Sequence, residues 1–158
     1  KLGTGNRTIE TNKTKQTFVQ LEMSHHLELN SKNSIFIKNQ SYYLQSDSYV
    51  INELYRFGGI NSIRGFNENS LQANAFTGIM AEFRYLVASN LYLHSITDYG
   101  YFQDRTANIE EKLLGLGFGF GLFTKNGLVN LIYANGSTSD QTIKLSNSIV
   151  HISFKTNF

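Results

Sequence analysis

Near the middle of the chain stands the sequence Arg56-Phe57-Gly58-Gly59-Ile60-Asn61-Ser62-Ile63-Arg64-Gly65-Phe66, which has no polar/apolar alternation of its own. Its adjacent glycines permit positive backbone φ angles and a close approach of the backbone to a surface. Its second arginine, Arg64, offers a rigid fork of donors that needs a carboxylate partner if it is buried. The sequence therefore predicts a loop that packs against the fold. The alternative is an ordinary surface turn with a solvated arginine.

Polar and apolar residues alternate on both sides of this loop, and such alternation indicates β-strands. The predicted strands are Thr17–Leu29, Ser34–Gln45, Phe76–Val87, Asn90–Gln103, Glu111–Lys125, Leu128–Asn135 and Ser148–Phe158, with a strand fragment at Lys1–Arg7. Most of them are about twice as long as the usual strand of about five or six residues. The charged and polar residues Glu82, Arg84, Asp98, His151 and Lys155 fall on the faces opposite the aliphatic rows.

Short and long connections alternate along the predicted strands. Short turns are predicted at 30–33, 88–89 and 126–127, and long polar loops at 8–16, 46–75, 104–110 and 136–147. Long strands with one apolar face, joined by turns at one end and loops at the other, are typical of an outer-membrane β-barrel. Closure of such a barrel pairs every backbone donor inside the membrane. The alternative is a soluble β-sandwich, whose strands are shorter and whose loops lack this asymmetry.

Composition supports an all-β fold and excludes several classes of function. The chain has 158 residues, 13 glycines, 12 phenylalanines, 9 tyrosines and no proline, a balance that favours strands over helices. A net charge of +2 with scattered lysines predicts no nucleic-acid partner. No run of about 18 apolar residues is present, so no transmembrane helix is predicted. Because the chain begins at Lys1 without a signal sequence, we expect it to be part of a longer protein.

The sequence predicts no catalysis, no metal site and no cofactor. Adjacent His25 and His26 point to opposite faces of a strand, so they cannot chelate one ion together. His94 has no second ligand at a recognisable spacing, and the nucleophile elbow Gly-x-Ser-x-Gly is missing. We therefore expect these histidines to be structural.

Five features in this order resemble the C-terminal half of the barrel in the BamA/TamA-like outer-membrane assembly and translocation superfamily, the bacterial surface antigen-like domain. They are the loop with Gly58-Gly59 and Ile63-Arg64-Gly65-Phe66, the segment Glu82-Phe83-Arg84-Tyr85, the segment Ile96-Thr97-Asp98-Tyr99-Gly100, the alternating glycines of Gly115–Gly121, and the terminal aromatic Phe158. The similarity extends over nearly the whole chain. One departure is Ile96, where an aromatic residue is usual.

The resemblance implies a transmembrane antiparallel β-barrel of about 16 strands, of which residues 1–158 would supply the C-terminal seven to eight. It also implies N-terminal barrel strands and POTRA domains that are absent from this chain. The implied location is the outer membrane of a Gram-negative bacterium or a similar envelope. The implied function is insertion of proteins into that membrane or translocation across it. The implied partners are outer-membrane lipid, client polypeptides, the rest of the barrel and accessory assembly lipoproteins.

The resemblance further implies roles for residues of the motif loop, which we define as residues 46–75. Arg64 is expected to pair with Asp98 inside the lumen, because a buried guanidinium needs a carboxylate. Glu82 could bind the same guanidinium or Arg84, and Gly100 is a further expected partner of the loop. The alternative for Asp98 is a solvated lumen carboxylate. The glycines of Gly115–Gly121 would leave room for the loop or permit strong curvature, and the two explanations are compatible.

The last strand is expected to carry a recognition signal and to form the seam of the barrel. Ile152, Phe154 and Phe158 share its outward face, and a terminal aromatic resembles the signal by which outer-membrane proteins are inserted. A weakly paired seam would let a client strand add by β-augmentation. His151 and Lys155 give this strand a polar inner face with nothing predicted to lock it.

Two further functions fit the same residues. One is a two-partner-secretion transporter, which would share the loop motif and export one dedicated substrate. The other is a passive barrel, either a small porin-like channel or an anchor for an enzyme such as a patatin-like lipase. The region N-terminal to this chain would discriminate between them. POTRA repeats would support assembly, and a domain with a Gly-x-Ser-x-Gly elbow would support the lipase.

Overall fold

The computed structural model describes residues 1–9 and 12–156. Strands make up 70% of the structure and helical turns 4%, so the predicted all-β class is confirmed. Among the described residues, no helix is long and apolar enough to cross a membrane. The predicted role of Phe158 lies outside the described residues.

The described residues form ten strands, and eight of these form one antiparallel sheet. They are β1 (Leu2–Ile9), β2 (Asn12–Glu28), β3 (Asn33–Ser46), β4 (Tyr55–Phe57), β5 (Leu71–Ala73), β6 (Ala75–Ala88), β7 (Leu91–Asp104), β8 (Ile109–Thr124), β9 (Gly127–Ser137) and β10 (Ile149–Thr156). The order in the sheet is β1-β2-β3-β6-β7-β8-β9-β10, so each of these strands pairs with its neighbours in sequence. The described strands leave the sheet open, with β1 and β10 at its two edges.

The prediction of a long loop at residues 8–16 is wrong, because most of this segment belongs to β1 and β2. β1 continues to Ile9 and β2 begins at Asn12, and these two residues are paired in the ladder. One of the polar side chains that suggested a loop, that of Gln16, has a partner in the motif loop, since its amide donates to the Glu53 carboxylate at 2.8 Å. Arg7, in the strand fragment predicted before the loop, donates to the same carboxylate at 2.5 Å. Polar residues are therefore compatible with a paired strand here.

Other differences in element boundaries are small. Each remaining strand of the large sheet begins and ends close to its predicted limits, and the connection predicted at 104–110 shortens to a turn at 105–108. The motif loop contains structure that the sequence did not predict. Within it β4 and β5 form a short antiparallel hairpin, and residues 51–53 form one helical turn.

Alternation gives the large sheet two different faces. We call the face on which the motif loop lies the covered face, and it bears Met80, Glu82, His94 and Asp98. The opposite face, which we call the open face, carries apolar side chains in rows that cross the strands. One such row consists of the paired residues Leu27, Ile35, Phe83, Ser95, Phe118, Tyr133 and Val150, which are aliphatic or aromatic except for Ser95. The open face is apolar although it is exposed, with Phe118 at 64% exposure.

The core lies between the motif loop and the covered face. Its buried residues are Phe57, Ile63, Phe66, Ala73, Phe76, Met80, Phe102 and Leu113. Aromatic rings join the loop to the sheet, since Tyr55 stacks on Tyr42 at 4.8 Å and Phe57 on Phe76 at 4.1 Å between ring centroids. Burial of each such ring contributes roughly 1.5–3 kcal/mol. The loop is therefore an integral part of the core.

Candidate functional site

The path of the motif loop toward the sheet depends on its two adjacent glycines. Gly58 and Gly59 have φ angles of +101° and +95°, which residues with a Cβ rarely adopt. The turn that follows is closed by two backbone hydrogen bonds, from Gly59 N to Ile63 O and from Ser62 N to Gly59 O, both 3.1 Å long. This turn presents the next four residues, Ile63–Phe66, to the covered face. We call these four residues the loop tip.

Arg64 of the loop tip is buried against two carboxylates on neighbouring strands. Its Nε donates to Asp98 Oδ2 at 2.8 Å and its Nη2 to Asp98 Oδ1 at 2.5 Å, a bidentate pair. Its Nη1 donates to Glu82 Oε1, and its backbone N donates to Asp98 Oδ2 at 2.8 Å. Arg64 is 3% exposed, Asp98 0% and Glu82 8%. The residues that the sequence predicted as partners therefore lie together, with Arg64 bridging β6 and β7.

A second arginine completes the charge balance of this cluster. Arg84 donates to Glu82 Oε2 through Nε at 2.8 Å and through Nη2 at 2.7 Å. Its guanidinium also lies over the rings of Phe36 and Tyr92, at 4.7 and 5.3 Å from the ring centroids. Two guanidinium groups therefore face two carboxylates. The sequence predicted that Glu82 binds either Arg64 or Arg84. In the structure it binds both, Arg64 with one carboxylate oxygen and Arg84 with the other.

The electrostatic surroundings of Arg64 keep it charged. Burial alone lowers the pKa of its guanidinium, but the hydrogen bonds and charges of Asp98 and Glu82 outweigh burial and raise that pKa above its ordinary value. Asp98 provides the larger part of this effect. An ionised arginine in this position needs a carboxylate partner, because an unpaired buried charge is very costly.

The loop tip rests on glycines of the covered face. A Cβ atom at Gly115 would collide with the carbonyl oxygen of Arg64 and would lie 3.2 Å from Asp98 Cβ. A Cβ at Gly136 would lie 2.7 Å from the ring of Phe66. Gly100 lies under Ile63, with a distance of 3.2 Å from its would-be Cβ to Ile63 Cδ1, and makes no contact of this kind with Arg64. These glycines let the backbone of the loop approach the sheet closely.

Other glycines of β8 make room for side chains of β7 rather than for the loop. The space beside Gly119 is taken by His94, whose Nε2 would be 2.7 Å from an added Cβ. The space beside Gly121 is taken by the ring of Tyr92. The expectation that the glycine row leaves room for the loop therefore applies to Gly115, while Gly117 lies against β9 at Tyr133 and Ala134, and Gly119 and Gly121 accommodate side chains of β7.

The residues predicted for the last strand lie away from this cluster. Ile152 and Phe154 are on the open face, 69% and 55% exposed. His151, by contrast, lies on the covered face, and its Nε2 accepts a hydrogen bond from Gly65 N at 3.2 Å. The expectation that nothing locks the inner face of this strand is therefore wrong. Alternation placed His151 on the correct face, but its partner comes from a loop 86 positions earlier in the chain.

The cluster has the chemistry of an anchor for the motif loop. Its charges are opposed in pairs and hydrogen-bonded, an arrangement that holds a loop in one position. Within residues 1–9 and 12–156, no group of three or more His, Cys, Asp or Glu side chains is placed to hold a metal ion. In comparison with known proteins, no protein-family model matches this chain and no curated protein matches it.

Proposed function

We propose that this chain is the C-terminal part of an outer-membrane β-barrel of about 16 strands that inserts proteins into the outer membrane or translocates them across it. In this proposal the covered face lines the lumen and the motif loop lies inside it. The observation that carries the proposal is the buried Arg64, held between Asp98 of β7 and Glu82 of β6. The resemblance seen in the sequence supports the same function, because its loop motif supplies the arginine and its two strand motifs supply the carboxylates.

The open face supports a membrane environment. Exposed apolar patches of more than a few hundred Å² are rare on soluble monomers, and this face is apolar across seven consecutive strands of the sheet. β6 and β7 have 14 residues each, so at ~3.3 Å per residue they are roughly 46 Å long. At a tilt of about 45° they would cross a hydrocarbon core of about 30 Å. The two open sheet edges would be paired by the remaining strands of the barrel.

The anchored loop favours an assembly or translocation barrel over an open channel. A loop that is built into the core and covers several strands of the covered face reduces the space through which solutes could pass. Holding it there requires four buried or partly buried charged groups, Arg64, Asp98, Glu82 and Arg84. Client polypeptides and accessory lipoproteins are the partners that the proposal implies.

A charge on the open face tests the membrane environment. Leu116 lies on this face near the middle of β8, so Leu116→Arg should destabilise the folded protein in lipid by about 2–4 kcal/mol. Ser24→Arg, on the covered face of β2, is the matched control and should have a small effect. Folding of both full-length variants into phospholipid vesicles would be followed across a urea gradient. Equal urea midpoints of unfolding for Leu116→Arg and Ser24→Arg would contradict a lipid-facing open face.

The function itself is tested with the full-length protein in vesicles. An unfolded outer-membrane barrel protein of small size would be added, and its folding followed by protection from external protease. We expect faster client folding in vesicles that carry the protein than in empty vesicles, and a smaller acceleration with Arg64→Lys, since lysine cannot form the bidentate pair. Equal rates in loaded and empty vesicles would overturn the proposal. Export of a single dedicated substrate would favour the two-partner-secretion function.

A further inference from the structure

The loop tip makes one polar contact with the edge strand β10. The backbone N–H of Gly65 donates to His151 Nε2 at 3.2 Å. His151 is 8% exposed, and among the described residues of β10 it is the one buried side chain. In the described sheet β10 pairs only with β9. The covered face of β10 is thus tied to the rest of the molecule at a single buried position.

We propose that His151 is a latch that couples the position of the loop tip to the position of β10. Through this contact neither element can move away from the other without leaving the Gly65 N–H and the imidazole nitrogen unpaired. The acceptor role requires that Nε2 be unprotonated, with the ring proton on Nδ1. His151 is therefore a positioning residue, and the coupling is independent of which client the protein handles.

The packing of the loop tip explains how the latch reaches across the sheet. Arg64 ties the tip to β6 and β7, and Phe66 packs over Gly136 on β9. His151 extends this series of contacts to β10. Since the carbonyl of Arg64 also lies over Gly115 of β8, the loop tip contacts five strands. A displacement of Arg64 from its carboxylates would shift Gly65 as well, and so would disturb the contact with β10.

The segment that leads into β10 is held by a separate contact. Asn135 of β9 donates from Nδ2 to the carbonyl oxygen of Lys144 and, at 3.1 Å, to Ser148 Oγ. This contact fixes the start of β10 to β9 and does not involve the loop tip. Loss of the latch is therefore expected to loosen β10 without releasing the segment before it.

Amide hydrogen exchange on the purified full-length protein in detergent tests the latch directly. His151→Leu should raise the exchange rates of peptides that contain Gly65 and of β10 by about tenfold, the size expected for loss of one buried hydrogen bond. His151→Gln, which keeps an acceptor at nearly the same distance from the backbone, should restore part of the protection. The control is His26→Leu, because His26 is an exposed histidine on the covered face of β2. This change should leave the exchange rates of both peptides unaltered.

A double-variant experiment then tests the coupling. Arg64→Ala, or Arg64→Lys if the alanine variant does not fold, should raise exchange in β10 when His151 is present. In the His151→Leu background the same change at Arg64 should have little further effect on β10. If the two changes raise the exchange rate of β10 additively, the latch is overturned. It is also overturned if the exchange rate of the peptide that contains Gly65 is unchanged in His151→Leu. Neither measurement needs a client protein, so a failed insertion assay and a failed latch give different results.

Discussion

Reversing the charge of either partner in the buried pair should strongly impair the protein, and reversing both should restore part of what is lost. Arg64→Glu would bring a third carboxylate against Asp98 and Glu82, and Asp98→Arg would oppose two guanidinium groups. Removal of one partner from a buried ion pair costs about 3–5 kcal/mol, and reversal should cost at least as much. Each single change should therefore release the loop tip from the covered face.

The rescue by the double change should be incomplete for two reasons. The backbone N–H of Arg64 also donates to Asp98, and an arginine at position 98 cannot accept that bond. In addition, the new carboxylate at position 64 would face Glu82, which Arg64 neutralises in the native protein. We therefore expect the double variant to regain a fraction of native function rather than all of it.

The measurement combines a structural and a functional assay of the full-length protein. Protease accessibility of the motif loop reports its release, and a cell-based outer-membrane assembly assay reports function. Lys125→Glu is the control, because Lys125 is an exposed basic residue in the turn between β8 and β9. If neither single reversal has any effect in either assay, the loop is not anchored by this pair, and a passive barrel becomes the better description.

Adding a single methyl group at Gly115 should displace the loop tip without altering any charge. The Cβ of Gly115→Ala would collide with the carbonyl oxygen of Arg64 and would crowd Asp98 Cβ at 3.2 Å. Because the first of these neighbours is backbone, relief requires movement of the tip itself. Overpacking of this kind costs about 1–3 kcal/mol. We expect a lower urea midpoint and a loop that is cleaved faster by protease.

A glycine elsewhere in the sheet supplies the control for this substitution. Gly5 of β1 has open space around its would-be Cβ, with no atom within 4 Å. Gly5→Ala should therefore be neutral, or stabilise slightly by restricting the unfolded chain. The comparison separates loss of space under the loop from a general effect of alanine in a strand. If both variants unfold at the same urea concentration, close contact between Gly115 and the loop does not contribute to stability.

The regularity of the strands made much of the fold predictable. A strand alternates its side chains with a period of two, so one apolar row assigns every other residue to a face. That rule placed Glu82, Asp98 and His151 on one face and Phe83, Tyr99 and Ile152 on the other, as in the structure. A hairpin between β8 and β9 was predictable for a similar local reason, but its two-residue turn lies at Lys125-Asn126, one residue before the predicted Asn126-Gly127, because Thr124 pairs with Gly127.

Predictions failed where a residue's partner lies far away in the chain. The polar residues at positions 8–16 suggested a loop, yet they belong to or adjoin paired strands, and the amide of Gln16 finds its partner in the distant Glu53. The glycines of β8 were expected to leave room for the loop or to permit strong curvature, yet Gly119 accommodates His94 of the adjacent strand. Local composition contains no information about which distant group will fill a space.

The sequence by itself determined the all-β class and the two faces of the sheet, and its resemblance to a known superfamily implied Arg64, Asp98 and Glu82 as a candidate cluster. The class and the faces follow from local rules, since alternation is a property of consecutive residues. Only the tertiary structure decided that Arg64 bridges β6 and β7, that its carbonyl lies over Gly115, and that Gly65 contacts His151. Those contacts depend on how the motif loop folds onto five strands at once, which no local pattern specifies.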